Sequence, residues 1–159
     1  MDLNFLELND WIVDKSLNSI IHGDCIKGMS YISNEYIDEV VTDTPYLMKY
    51  KTNHKKDKTH KFCNEIKNDN NPDLISNYIK EYYRILKLNT AIYMFCNQNK
   101  EKFFKQKLEK YFNIKNKIIW VKNNWIAGDL KCSFGKQCKI LFLVNKGRKE
   151  INGKRLTDV

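Results

Sequence analysis

Apolar and polar positions along this 159-residue chain switch repeatedly between a period of two and a period near 3.6. Ser19-Ile20-Ile21-His22 reads as a short buried strand ending at Gly23-Asp24. Over residues 25–33, Ile26, Met29 and Ile32 return at helical spacing. Asp38-Glu39-Val40-Val41-Thr42 is the next strand, stopped by Pro45. After a long polar stretch, Asn71-Pro72-Asp73 marks a helix start, because proline is tolerated in a first turn. Leu74, Ile75, Tyr78, Ile79, Tyr82 and Leu86 then form one amphipathic face, and Asn89 closes that helix. Residues 90–96 are a continuous apolar strand. Residues 99–112 form a basic helix with Phe103, Phe104, Leu108 and Phe112 on one face, the pattern of a core-facing helix and not of a base-stacking surface. Residues 117–122, with Trp120 expected to be buried, and residues 139–145 are two further strands joined by a loop over 123–137.

Strands alternating with helices imply an α/β domain with a mainly parallel, Rossmann-like sheet. Only a loop separates the last two strands, so they are expected to form an antiparallel hairpin near the C-terminus. In such sheets ligands bind beyond the carboxyl ends of the strands. Asp24, Asp43 and Asn97 each follow an expected strand and should line one rim. Asp and Asn also favour strand ends for their own turn chemistry, which leaves a purely structural role open for Asp24 and Asn97.

Composition narrows the class. The length fits one domain over residues 1–159, and 42% apolar with 13% aromatic residues excludes wholesale disorder. No apolar run approaches the ~18 residues of a membrane span, and the N-terminus lacks a basic-then-apolar leader pattern. A cytoplasmic protein with no membrane partner is expected. Cys25, Cys63, Cys96, Cys132 and Cys138 form no CxxC pair and are odd in number, so they read as reduced thiols.

A formal charge of +9 favours a polyanionic partner, most simply nucleic acid. Heavy use of lysine and asparagine is equally what an A/T-rich genome produces. Residues 47–71 concentrate the charge and read as a basic flexible loop. Lys49, Lys51, Lys55 and Lys56 are its candidate nucleic-acid contacts, with a solvated insertion as the plain alternative. Trp125, in the loop before Gly128, is a further candidate contact, against simple packing. His54, His60 and Cys63 fit no zinc spacing, and no metal site is expected.

The chemistry concentrates in Asp43-Thr44-Pro45-Tyr46. A carboxylate, a rigid proline turn and an aromatic ring at the mouth of a strand suit the holding of a flat, amino-bearing ring. The tetrapeptide resembles the Asp-Pro-Pro-Tyr motif of amino-group DNA methyltransferases, departing from it at Thr44. Around it, Ile21-His22-Gly23-Asp24-Cys25 resembles the opening of the beta-type enzymes of that family. Tyr83-Arg84-Ile85-Leu86-Lys87 is similar to the family's Arg-Val-Leu-Lys segment, and Ile119-Trp120-Val121-Lys122-Asn123 to its Trp-x-Lys strand. Residues 140–147 resemble the strand that ends in Lys-Gly. Five segments stand in the family's order.

The resemblance implies a methyltransferase acting on adenine N6 or cytosine N4 of DNA, adenine being favoured, of the restriction-modification type. S-adenosylmethionine would be the methyl donor. Asp43, Thr44, Pro45 and Tyr46 would be catalytic, and Asp24, Cys25 and Asp43 would border the cofactor. The base must leave the duplex at a cost of about a few kcal/mol. Tyr46 would stack on it, while the Asp43 carboxylate and the Thr44 carbonyl would accept from its amine. Threonine in place of proline loosens the turn and adds a hydroxyl that competes for local hydrogen bonds. The family's Phe-x-Gly-x-Gly cofactor loop has no counterpart in residues 1–159, whose six glycines form no GxG pair. By this resemblance the domain is expected to be incomplete: truncated, split or degenerate, and weak or inactive alone. Its partner would be a second polypeptide with the glycine-rich motif or another copy of the chain. The alternative is a non-catalytic DNA-binding remnant of the same fold.

Overall fold

The computed structural model describes residues 4–7, 19–48, 68–126, 132, 134–151 and 153. Two short parallel strands, β1 (Asn4–Glu7) and β2 (Ser19–His22), pair with each other. Helix α1 (Cys25–Ser30) follows, then β3 (Ile37–Asp43), α2 (Pro72–Ile85), β4 (Leu86–Cys96), α3 (Glu101–Leu108), β5 (Asn113–Ile126) and β6 (Lys136–Lys146). The last four strands make one sheet in the order β3-β4-β6-β5. β3 runs parallel to β4, while β6 lies antiparallel between β4 and β5. The sheet is therefore mixed: a parallel pair extended by the antiparallel hairpin that the short β5–β6 connection dictates.

Local chemistry sets the element ends. Asn71 caps α2 by accepting from the N–H groups of Asp73 and Leu74, and Pro72 takes the first turn, where its missing N–H costs nothing. The helix stops at Ile85, four residues before Asn89, because Leu86 is already extended (ψ 137°) and begins β4. Asn89 instead adopts a left-handed conformation (φ 62°) within that strand. α3 is likewise shorter than its apolar periodicity: the chain turns after Leu108, whose carbonyl accepts from the N–H groups of Tyr111 and Phe112.

The core lies on one face of the sheet. Ile75, Tyr78, Ile79, Tyr82 and Ile85 of α2 are buried, as are Phe104 and Leu108 of α3 and the following Phe112. They pack with Ile92, Met94 and Cys96 of β4 and Ile140, Phe142 and Val144 of β6. The core reading of the aromatic helix holds.

Two cationic side chains lock this layer. Arg84 donates to the carbonyls of Met29 and Ile32, so α2 closes the end of α1. Lys146, buried at the end of β6, donates to the carbonyls of Tyr83 and Leu86 and to Glu35. A cation there complements both the orphan carbonyls and the negative end of the helix dipole. Gly147 follows at φ +81°, where a Cβ would stand 2.6 Å from Asn89 Oδ1. The Lys-Gly pair thus has a structural reason: one residue is a buried plug and the other a steric necessity.

The opposite sheet face carries Tyr93, Phe95, Leu141, Leu143, Ile118 and Trp120. Trp120 is 51% exposed, contrary to the buried position expected of it. Its register opposite Lys139 phases it away from the helices. Among the described residues, no helix is long and apolar enough to cross a membrane.

Candidate active site

β3 and β4 end side by side, with Asp43 paired to Phe95, and the Asp43–Tyr46 tetrapeptide leaves the sheet there. Three side chains hold it by tertiary hydrogen bonds. The Thr44 hydroxyl, on a residue only 5% exposed, donates to the Phe95 carbonyl at 3.2 Å. Asn97, just past β4, donates its side-chain amide to the Tyr46 carbonyl at 3.0 Å. Asp69 accepts the Tyr46 N–H at 2.8 Å through Oδ1 and the Met48 N–H at 3.2 Å through Oδ2. Between those two amides, Leu47 sits in the left-handed region at φ 56°, a conformation costing about 1 kcal/mol or more for a branched side chain. Asp69 offsets that strain.

The loosening expected from Thr44 is opposed by its hydroxyl, which ties the turn to β4. Asn97 has two roles at once: its Oδ1 accepts from Asn99 N–H, starting the 3₁₀ turn Gln98–Lys100, while its amide holds the turn. Asp69 is a site residue that sequence reasoning missed, because it lies inside the segment read as a basic loop. Its neighbours in sequence carry no sign of the role.

Above the turn stand Asp43, Tyr46 and Lys139. The Tyr46 hydroxyl donates to Asp43 Oδ1. Lys139 Nζ donates to the Tyr46 oxygen at 2.6 Å and lies 3.4 Å from Asp43 Oδ2. The same ammonium stands 4.9 Å from the Tyr46 ring centroid and 5.6 Å from that of Phe95, within cation–π range. Burial, and next the hydrogen bond to Asp43, push the Tyr46 phenol above its ordinary value, with Lys139 opposing. Burial lowers Lys139, but its bond to Tyr46 and the charge of Asp43 outweigh this and leave it raised. At neutral pH the phenol is therefore neutral and the lysine an ammonium. Lys139 is the second residue that sequence reasoning missed, standing 96 positions from Asp43.

The other rim residues connect through α2. Asp24 caps α1 by accepting the Lys27 N–H at 2.9 Å, so the structural reading of this residue holds, and its carboxylate remains exposed. Tyr78 stands beside Cys25, and burial, followed by that contact, raises its phenol. One turn on, the Tyr82 hydroxyl meets Thr42 Oγ1 at 3.3 Å. The Tyr78–Tyr82 edge of α2 thus links the Asp24-Cys25 corner to the strand that delivers Asp43.

Lys49, Lys51, Lys55 and Lys56, with most of the 47–71 loop, lie outside the described residues, as do His54, His60 and Cys63. Trp125 belongs to strand β5 and not to the loop in which it was expected, because β5 continues to Ile126. The aromatic exposed beside the site is instead Trp120, whose ring lies 5.4 Å from that of Phe95. Among the described residues, no cluster of His, Cys, Asp and Glu could hold a metal ion.

The chain is similar to known proteins in sequence and in fold. Residues 37–158 match the N6/N4 DNA methylase family model. The chain is 33% identical over 125 residues to the type II methyltransferase M.HinfI of Haemophilus influenzae, covering 70% of this chain and 33% of that protein. In fold it resembles the M1.HpyAVI–SAM complex, with a TM-score of 0.59, 16% identity and coverage of 98% of this chain and 65% of that one. It also resembles the cytosine-N4-specific PvuII DNA methyltransferase, with a TM-score of 0.58, 11% identity and coverage of 80% and 48%. The chain thus spans a third of M.HinfI and just under two thirds of M1.HpyAVI.

Proposed function

The chain belongs to the N6/N4 DNA methylase family, and on that premise we propose that it carries the base-binding half of an S-adenosylmethionine-dependent DNA amino-methyltransferase. The observation that carries the proposal is the Asp43–Tyr46 turn, pinned by Thr44, Asn97 and Asp69 so that a carboxylate and a phenol ring project together beyond the sheet.

That geometry suits an extruded base. Tyr46 offers a stacking surface, which recovers ~1–3 kcal/mol of the unstacking cost. Asp43, 58% exposed on its side chain, accepts from the exocyclic amine, and the Thr44 carbonyl is the second acceptor. Both draw electron density onto a nitrogen that ring conjugation otherwise makes a poor nucleophile. Pre-set hydrogen bonds hold these acceptors without reorganisation at the moment of reaction.

The donor set also fits the cofactor. Asp24 and Asp43 are two exposed carboxylates, and Cys25 with Tyr78 borders the first. When bound, S-adenosylmethionine supplies a methyl group on a positively charged sulfur. Asp24 and Cys25 would border it, and Asp43 would face both it and the base. The remaining cofactor contacts come, in this reading, from polypeptide outside these 159 residues. The chain alone then methylates weakly or not at all.

The test is calorimetric titration of S-adenosylmethionine into the purified chain, alone and with the product of any adjacent reading frame. It is followed by transfer of labelled methyl to adenine- and cytosine-containing DNA. Completed by the missing cofactor contacts, wild type should transfer to one of the two amines and Asp43→Ala should not. DNA binding without cofactor binding in every combination would leave the non-catalytic DNA-binding remnant in its place.

A further inference from the structure

We propose, resting on the base-pocket reading above, that Lys139 determines specificity by donating a hydrogen bond to the ring nitrogen beside the target amine. The argument begins with the sense of the groups. Asp43 is an acceptor and Lys139 a donor, and their charged atoms stand 3.4 Å apart at the mouth of one turn. An aromatic amine of the adenine or cytosine kind shows the complementary pair, an N–H donor beside an unprotonated ring nitrogen. Asp43 alone would accept any N–H. The added ammonium requires an acceptor next to it.

Placement supports the role. Lys139 is partly sheltered, its side chain 27% exposed, and lies over the rings of Tyr46 and Phe95. A base stacked on Tyr46 would bring its polar edge to this position. The ammonium has three N–H donors, and in the free protein they serve Tyr46 and Asp43. The Tyr46 hydroxyl meanwhile occupies Asp43 Oδ1. Both contacts are what an entering base replaces: its amine takes Asp43 from the hydroxyl, and its ring nitrogen takes a donor of Lys139. No covalent bond changes in this exchange. Only hydrogen bonds are traded.

A purely structural Lys139 would hold the turn and be indifferent to the base, so the two roles separate by experiment. Single-stranded oligonucleotides are prepared with one adenine, one 1-deazaadenine or one abasic residue, and in parallel with cytosine and 3-deazacytosine. Each deaza base keeps the amine and replaces the adjacent ring nitrogen by C–H. Binding to the whole chain is followed by fluorescence anisotropy. Wild type should prefer the natural base of one pair by about tenfold, the worth of one charge-assisted hydrogen bond. Lys139→Met should bind both members equally, and Lys139→Arg should keep the preference, with circular dichroism establishing that each variant is folded. Equal wild-type affinity for the natural and deaza bases, both above the abasic strand, would overturn the role of Lys139 and leave the base pocket standing. Equal affinity for abasic and base-bearing strands would remove the pocket and this inference together.

Discussion

Asp69 accepts the backbone N–H of Tyr46 at 2.8 Å, joining the start of α2 to a turn 23 residues earlier. A residue only 5% exposed, with two amides as its partners, organises the strained bend at Leu47. Part of the rigidity needed to hold Asp43 and Tyr46 therefore comes from outside the tetrapeptide.

Replacing Asp69 should loosen that bend. Asp69→Ala leaves two sheltered amides without a partner and should cost about 2 kcal/mol, read as a lower urea midpoint. Asp69→Asn keeps one acceptor oxygen and should cost about half as much. An unchanged midpoint for Asp69→Ala would show that the bend holds itself.

Lys146 carries its charge in a buried place and satisfies two carbonyls at the end of α2. Lys146→Met keeps the aliphatic stem and removes the donors, so the loss should be ~2 kcal/mol or more. A melting temperature equal to wild type would reject the plug.

Gly147→Ala meets two obstacles, the left-handed φ and the contact with Asn89. Together they should lower stability by about 1–3 kcal/mol. Gly153 also has positive φ (102°) but open space around it, so Gly153→Ala should cost less. The comparison of the two melting curves isolates the clash.

Burial pushes the Cys96 thiol from 9.0 up to about 12, with Glu101 adding to the effect. The folded value lies above the unfolded one, so this contribution to stability is complete below pH ~9 and is lost as pH rises towards 12. At pH 8, Cys132 and Cys25, both exposed, should be alkylated first and Cys96 only after unfolding. Peptide mapping after brief iodoacetamide treatment checks the order, and early labelling of Cys96 would contradict it.

Much of this protein is local in origin. The 3.6-residue repeat of α2, the apolar run of β4, the Asn71-Pro72 cap and the short connection that forces an antiparallel hairpin are all determined by neighbours in sequence, as is the tetrapeptide itself. Its family resemblance could be read there too. What the sequence could not determine is which distant residues complete the site. Lys139 reaches Asp43 because β6 inserts between β4 and β5, and Trp120 faces outward because that same pairing phases β5 against β6. Asp69 and Asn97 act on backbone groups of the turn, contacts that leave no mark in residue type or periodicity. Side-chain alternation gives a strand two faces, but only the packed sheet decides which one meets the helices and which meets solvent.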